Sequence, residues 1–443
     1  MTDTLLKNLD MADLGTLGTR RCDMLLSEGR IAAIDGHIDD VPDASVMDCN
    51  GMLALPAFVD AHTHLCQTFL KGPLDDYPIT EWLKRLFTYE AVMDEDILYH
   101  SILLGCLSAL RFGVTTVNDM CGWDLHEACI QAIMDSGIRA TIGLSTTDIA
   151  ENPETVLCTV DEALFRHERI YKLAHGKNGG LLRASVAPAG LPACSREMVQ
   201  ALKAFADERS LIFHTHLGEG RKETQDVMDM YSLRGECEAL YEFGILDHRT
   251  LLAHSIWLQD FELDLIRQTG AVPVHCPNTN MKISDGIPPI AAMLARDIPV
   301  AMGCDGEASS STRDMIREGR AGAYLQKVVT SDPTVMDAGT VLRMMTENGA
   351  RALGYDDLGQ LCEGGRADVI LVNMDNDLSL MNPDYRVGNL LYAGDGHAVD
   401  TVFCGGVLKV RHGRLVGFDE EELLARCRAS IRRFNDRIQE IKF

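Results

Sequence analysis

The chain has no surplus of positive charge. Its 41 lysines and arginines face 66 aspartates and glutamates, leaving a formal charge of −25. Nucleic-acid binding usually needs a basic face, so that class of partner is excluded, and an anionic membrane surface is an equally poor match. The acidic excess otherwise reads as a solubility feature. Any CxxC pair is also missing. The 14 cysteines stand singly in apolar stretches such as Leu104-Gly105-Cys106 and Val402-Phe403-Cys404, the usage of a reduced, cytoplasmic protein and not of a disulfide scaffold. No uncharged apolar run approaches the ~18 to 20 residues of a membrane span. Met1-Thr2-Asp3-Thr4 carries neither a basic nor an apolar targeting region, so no signal peptide is expected. Internal repeats and low-complexity segments are lacking too.

What is present is enzyme-sized. The 443 residues, 46% apolar, suffice for one large domain with a smaller companion, or for two to three ordinary ones. Residues 1 to about 56 read as short strands and turns. Cys22-Asp23-Met24-Leu25-Leu26 and Ile31-Ala32-Ala33-Ile34 flank a glycine-containing turn, a hairpin signal. The C-terminal part has the same texture, with runs at Ala367–Val372, Thr401–Cys404 and Val407–Val410. Between the two ends, compact apolar runs alternate with helical spacing. The runs are Ala57–Asp60, Val114–Val117, Arg139–Leu144, Leu182–Ala187, Leu211–His214, Thr250–Ala253, Val272–His275 and Ile298–Met302. A doubly wound open sheet could give this alternation, but eight is the number at which a parallel sheet closes, so a (β/α)8 TIM barrel is expected. The stretch from Phe418 begins with an Asp419 N-cap and reads as a charged surface helix.

Four of the eight runs lead into residues of metal-site type: His62 and His64, His216, His254, and Asp305. In a barrel, positions just past the strands open onto one C-terminal face. His62 and His64 alternate by two, so both side chains point the same way from a strand end. Two imidazoles from one strand, a third histidine and a carboxylate make an N3O set suited to one divalent ion, Zn²⁺ or alternatively Fe²⁺. Run four holds no lysine that could become a bridging carbamate, which favours one metal over two. Glu219 follows His216 by three residues and is placed for general acid–base work on a ring nitrogen and a leaving amine. His254 is expected to orient the attacking water, Asp305 to bind the metal and accept the water proton, and His214 to face away from the metal.

The stretch Pro56–His64, with His216, Glu219, His254 and Gly303-Cys304-Asp305-Gly306, resembles the amidohydrolase superfamily. Asp75–Leu83, Thr115–Met120 and His275–Asn280 match as well, and the likeness covers nearly the whole chain. The closest branch holds deaminases of S-adenosylhomocysteine and methylthioadenosine, guanine-type deaminases and triazine hydrolases. The resemblance implies that the two chain ends, 1–56 and 360–443, join in one small β-sandwich beside a barrel over 57–359. It also implies a homo-oligomer, by analogy alone.

The pattern departs from the S-adenosylhomocysteine deaminases in two places. Ala189 stands where those enzymes carry a purine-contacting histidine, and Gly143-Leu144-Ser145-Thr146 where they carry an arginine. Glu90 sits at their ribose-binding glutamate, whereas Gln67 and Trp257 look more like the triazine and oxopurine branches, with Trp257 as a stacking wall. Asn278 is a further candidate contact to substrate. The expected activity is therefore hydrolytic deamination of a purine, pterin, pyrimidine or triazine, a small heterocycle that releases ammonia. Dechlorination or dealkylamination of a triazine is the alternative, and an adenosine-type nucleoside is the less favoured substrate. A scaffold without chemistry would be marked by loss of a ligand, and none is lost.

Overall fold

The computed structural model describes residues 2–122, 127–150, 156–374 and 378–443. Each of the eight apolar runs overlaps a strand of the barrel. The strands are β1 (Phe58–His64), β2 (Val114–Cys121), β3 (Arg139–Leu144), β4 (Leu182–Ala184), β5 (Phe213–Leu217), β6 (Thr250–His254), β7 (Val272–His275) and β8 (Ala301–Met302). They are parallel and almost wholly buried, as strands covered on both faces must be.

Two seams close the circle. Val186 bridges Phe213, with its N–H on the Ile212 carbonyl at 2.9 Å and the His214 N–H on its own carbonyl at 2.8 Å, which joins β4 to β5. At the other seam, Asp305–Gly306 pairs in parallel with Thr63–His64 at the end of β1. Gly303 permits that approach, because a Cβ there would lie 2.8 Å from the His62 carbonyl oxygen.

The chain ends meet in one sheet of nine strands. Thr4–Ala12 pairs antiparallel with Thr19–Ser27, which turns through Glu28 (φ 51°) and Gly29 (φ 76°) into Arg30–Asp35. That is the two-residue turn of a tight hairpin. On its other side Thr4–Ala12 pairs first with Ser45–Asp48 and then, beyond a bulge between Leu6 and Leu9, with Met52–Pro56. Met52–Pro56 accepts the C-terminal strand Val369–Asn373, followed by Val399–Cys404 and Val407–Arg411. The expected sandwich is thus realised as one continuous sheet. The bulge bends it over a core of Leu6, Leu9, Met24, Ile31, Val369 and Phe403, and the Arg30–Arg366 bridge draws its edge back. The last helix, Glu420–Gln439, starts at Asp419, whose side chain accepts the N–H groups of Glu421 and Glu422.

A buried ion pair joins sheet and barrel. Arg139, the first residue of β3, donates to Asp368 Oδ2 at 2.8 Å, and both side chains are only 1% exposed. Asp368 Oδ2 also accepts the Gly405 N–H at 3.0 Å. Replacing one partner strands a buried charge, so Asp368→Ala is expected to cost about 3–5 kcal/mol of unfolding free energy in denaturant titration. An Arg139→Met, Asp368→Leu double variant should recover part of that loss.

Candidate active site

The strand ends bring His62, His64, His216, His254 and Asp305 together. His62 Nε2 and His64 Nε2 each lie 3.3 Å from Asp305 Oδ1, and His254 Nε2 lies 4.0 Å from Oδ2. The His62 and His216 rings are 5.0 Å apart, and His216 stacks on His254 at 5.3 Å. One ligand atom from each of His62, His64 and His216 falls within a 4.8 Å cluster, as does one from each of His62, His254 and Asp305. The Nε2 atoms of His62 and His254 are buried without a well-formed hydrogen bond. Buried imidazole nitrogens converging on a carboxylate, with no donor to satisfy them, fit a divalent cation. Burial pushes the Asp305 carboxyl up, but hydrogen bonds from His62 and His64 pull it well below the usual range. Burial holds His62 down at about 4 and His216 well below its ordinary value. Burial also opposes the proton on His64, yet Asp305 prevails and raises it to about 9. That proton lies where a cation would be held.

The far side of each ring explains its aim. His64 Nδ1 lies 2.7 Å from the Met120 carbonyl and His216 Nδ1 lies 2.5 Å from the Ala189 carbonyl. A carbonyl can only accept, so Nδ1 carries a proton in both and Nε2 is the atom that faces the centre, the one a cation would take. His254 Nδ1 donates in the same way to Asn280 Oδ1 at 2.9 Å. His214 does face away from the centre. Its Nε2 lies 2.8 Å from His62 Nδ1, where it backs the first ring. Arg313, only 1% exposed, donates to the Asp305 carbonyl at 2.9 Å and the His64 carbonyl at 3.2 Å, and also to Thr63 Oγ1. Its charge is met by Glu307 at 3.3 Å and Asp60 at 3.8 Å. Nothing in the local spacing marks Arg313, eight residues past Asp305; its role emerges only once the seam is closed.

Beside this cluster opens a cleft of about 1120 Å³, continuous with solvent. Glu219 lines it, with Oε1 3.6 Å from His254 Nε2. Gln67 and Glu90 line it together, Gln67 Nε2 donating to Glu90 Oε1 at 3.3 Å. The helix Ile79–Glu90 turns Ile79, Trp82, Leu83 and Leu86 toward it as an apolar wall. Trp257 and Asn278 stand outside the lining. The Trp257 indole N–H is bonded to the Asp285 carbonyl at 2.9 Å, and its ring packs on Gly286. Asn278 is engaged by Glu318, through its N–H at 2.8 Å and its side-chain amide at 2.6 Å. Both are drawn into loop construction by partners distant in sequence. Asp285, which no local motif marks, lines the cleft instead.

Comparison with known proteins gives the same assignment. The model of the amidohydrolase family matches residues 53–409. The chain belongs to that family. A 5'-deoxyadenosine deaminase of Methanothermobacter thermautotrophicus is 33% identical to this amidohydrolase over 429 residues, 96% of this chain and 97% of the relative. A 5-methylthioadenosine/S-adenosylhomocysteine deaminase of Nitratidesulfovibrio vulgaris is 34% identical over 441 residues, 93% of this chain and 97% of the other. Among solved structures, an adenosine deaminase from Xanthomonas campestris with bound zinc superposes with a TM-score of 0.91. It is 27% identical and is covered, as this amidohydrolase is, over 99% of its length.

Two outcomes follow from the geometry. His216→Ala should reduce bound divalent metal to under about a tenth of the wild-type stoichiometry, read by elemental analysis after gel filtration. Asn280→Leu, which frees the His254 ring, should leave metal content unchanged and lower kcat by about 10- to 100-fold.

Proposed function

We propose that this amidohydrolase is a deaminase of an amino-substituted nitrogen heterocycle, and that the ring is the adenine of a nucleoside whose 5′ group is small and uncharged. The observation that carries the reaction is Glu219, a carboxylate in the cleft wall beside His254 and the converged histidines. His62, His64, His216 and Asp305 would hold one divalent ion, with zinc the first choice and iron compatible with the same N3O set. When bound, such an ion lowers the pKa of water toward ~7. Asp305 takes the water proton at its carboxylate, and His254, its lone pair fixed by Asn280, orients the attacking oxygen. Glu219 relays the two protons of that water in turn: the first, handed on from Asp305, to the ring nitrogen next to the reacting carbon, and the second, from the added hydroxyl, to the departing amine. Water adds at that carbon, the C–N bond breaks, and a ring carbonyl and ammonia result. Chloride needs no proton to leave, so Glu219 favours the loss of nitrogen over the dechlorination of a triazine.

The nucleoside reading rests on the cleft and on the relatives. Glu90 and Gln67 form a polar pair within the cleft, a place for sugar hydroxyls, with the Ile79–Glu90 wall alongside. Glu90, Glu219, Glu223, Glu236, Asp285 and Asp305 line the cleft, and no lysine or arginine is found among its described lining residues. The segments 123–126 and 151–155, outside the described residues, contain neither type in sequence. A phosphate would find no lysine or arginine there and several carboxylates to repel it. The names of the relatives point to adenine nucleosides with modified 5′ positions. This reading reverses the order of preference drawn from sequence, where a ring without ribose stands ahead.

Residues 57–359 would then be the catalytic barrel domain, with 1–56 and 360–443 its companion. No helix among the described residues is long and apolar enough to cross a membrane. None of the 14 cysteines, all among the described residues, is in a disulfide and 13 of them are buried, which supports a reducing, cytoplasmic setting. A homo-oligomer fits by family analogy.

The test is ammonia release by metal-analysed protein from 5′-deoxyadenosine, methylthioadenosine, adenosine, AMP, guanine and an aminotriazine. The expected result is turnover of the first two, with kcat/KM for AMP at least about 100-fold lower. Silence on all six with metal bound would overturn the deaminase reading. Glu219→Gln should keep its metal and lose about 10²- to 10⁴-fold in rate; unimpaired turnover would remove its acid–base role.

A further inference from the structure

Asp285 is a buried acid that the reaction just described does not use. Its residue is 7% exposed, it lines the cleft, and its Oδ2 is buried without a hydrogen-bond partner. Burying an unpartnered carboxyl oxygen costs free energy, and such a group persists where something in the site completes it. Its position is tightly set. The Asp285 N–H is bonded to the Asn280 carbonyl at 3.0 Å and its carbonyl accepts the Trp257 indole N–H at 2.9 Å. The next residue, Gly286, has φ 137°, and a Cβ there would lie 2.8 Å from Ile256 Cγ2 and 3.0 Å from Trp257 Cζ2. Only glycine lets the loop pack so closely on the Trp257 ring. The same Asn280 that anchors Asp285 also orients His254, so the loop couples this carboxyl to the reacting end of the cleft.

Resting on the nucleoside-deaminase reading above, we propose that Asp285 is a substrate-contacting specificity residue, donating a hydrogen bond to a ring nitrogen of the heterocycle bound beside Glu219. The donor state is available near neutrality. Burial first, and the neighbouring Glu219 charge second, push the Asp285 carboxyl up to about 8. A neutral carboxylic acid offers an O–H to an sp² nitrogen, and an amide can imitate it where a methyl cannot. A ring that presents carbon at that edge leaves the acid unsatisfied, a stronger means of discrimination than apolar fit.

Binding separates this inference from the reaction. Zinc-loaded protein carrying Glu219→Gln, which slows turnover enough for a titration, is titrated calorimetrically with 5′-deoxyadenosine and with its 3-deaza and 7-deaza analogues, the 1-position being Glu219's own contact. One analogue should bind about tenfold or more weaker than the parent. Adding Asp285→Ala should weaken the parent by a similar factor and abolish the penalty of that one analogue. Asp285→Asn should restore most of the parent's affinity. Zinc content and melting temperature are checked for each variant, and the isosteric Asp285→Asn decides the matter if Asp285→Ala does not fold. The proposal is overturned if Asp285→Ala binds the parent as tightly as its background does, or if the analogue penalties survive in it. It is also overturned if the Asp285-containing protein binds none of the three nucleosides. Binding that obeys this pattern in an enzyme releasing no ammonia would leave Asp285 as assigned and discard the deaminase reading alone.

Discussion

Everything at the active end of this molecule depends on one short strand pairing. Asp305–Gly306 lies in parallel register with Thr63–His64, and this contact both closes the barrel and delivers a carboxylate to the histidines of β1. Fold and site are the same interaction here. If the seam were open, Asp305 would be an acid on a loop and His62 and His64 two rings at a sheet edge. Arg313 makes the closure durable by donating to the backbone carbonyls of both sides, while Asp60 and Glu307 neutralise it. Asp60 shows the cost. Burial pushes its carboxyl up to about 7 even with the Arg313 charge opposing.

The site is also where the backbone departs from relaxed geometry. His254 (φ 67°), Ser255 (φ 53°) and Asp305 (φ 62°) occupy the left-handed region without being glycine. Such residues persist only when the surroundings over-determine them. Here they are over-determined: Ser255 N–H reaches the Leu217 carbonyl at 2.8 Å, His254 is fixed through Asn280, and Asp305 is clamped by Arg313. The barrel mouth thus carries strained backbone and desolvated polar groups together.

That division decides what can be read from sequence. All eight barrel strands are visible as apolar runs because a parallel strand buried on both faces has no alternation to confuse with a helix. The five clustered residues are visible because chemistry restricts their types and because each follows a run. Strand alternation alone puts His214 behind the site. Two expectations miss for a shared cause. Trp257 and Asn278 are expected to face substrate from their types and nearness to site residues, but partners distant in sequence turn them away: the Asp285 carbonyl in one case, Glu318 in the other. The joining of the two chain ends is legible from their shared texture, whereas the bend at Asn8 (φ 62°) is not, because an ordinary strand sequence conceals it.

The cleft therefore has two kinds of wall. One is built from strand ends, where the barrel's own hydrogen bonds hold each side chain, and it carries the groups that any hydrolysis of this type requires. The other is built from the helix Ile79–Glu90 and the loop running from Asn280 to Gly286, whose positions come from side-chain packing and a few anchoring bonds. Changes in the second wall leave barrel closure untouched, so substrate preference can shift while the chemistry is kept. Both walls meet at Asn280, whose carbonyl receives the Asp285 N–H and whose side chain receives the His254 proton. A residue in that position makes the ring-facing loop and the water-orienting histidine move together or not at all, so a ligand that displaced the loop would also misalign that histidine.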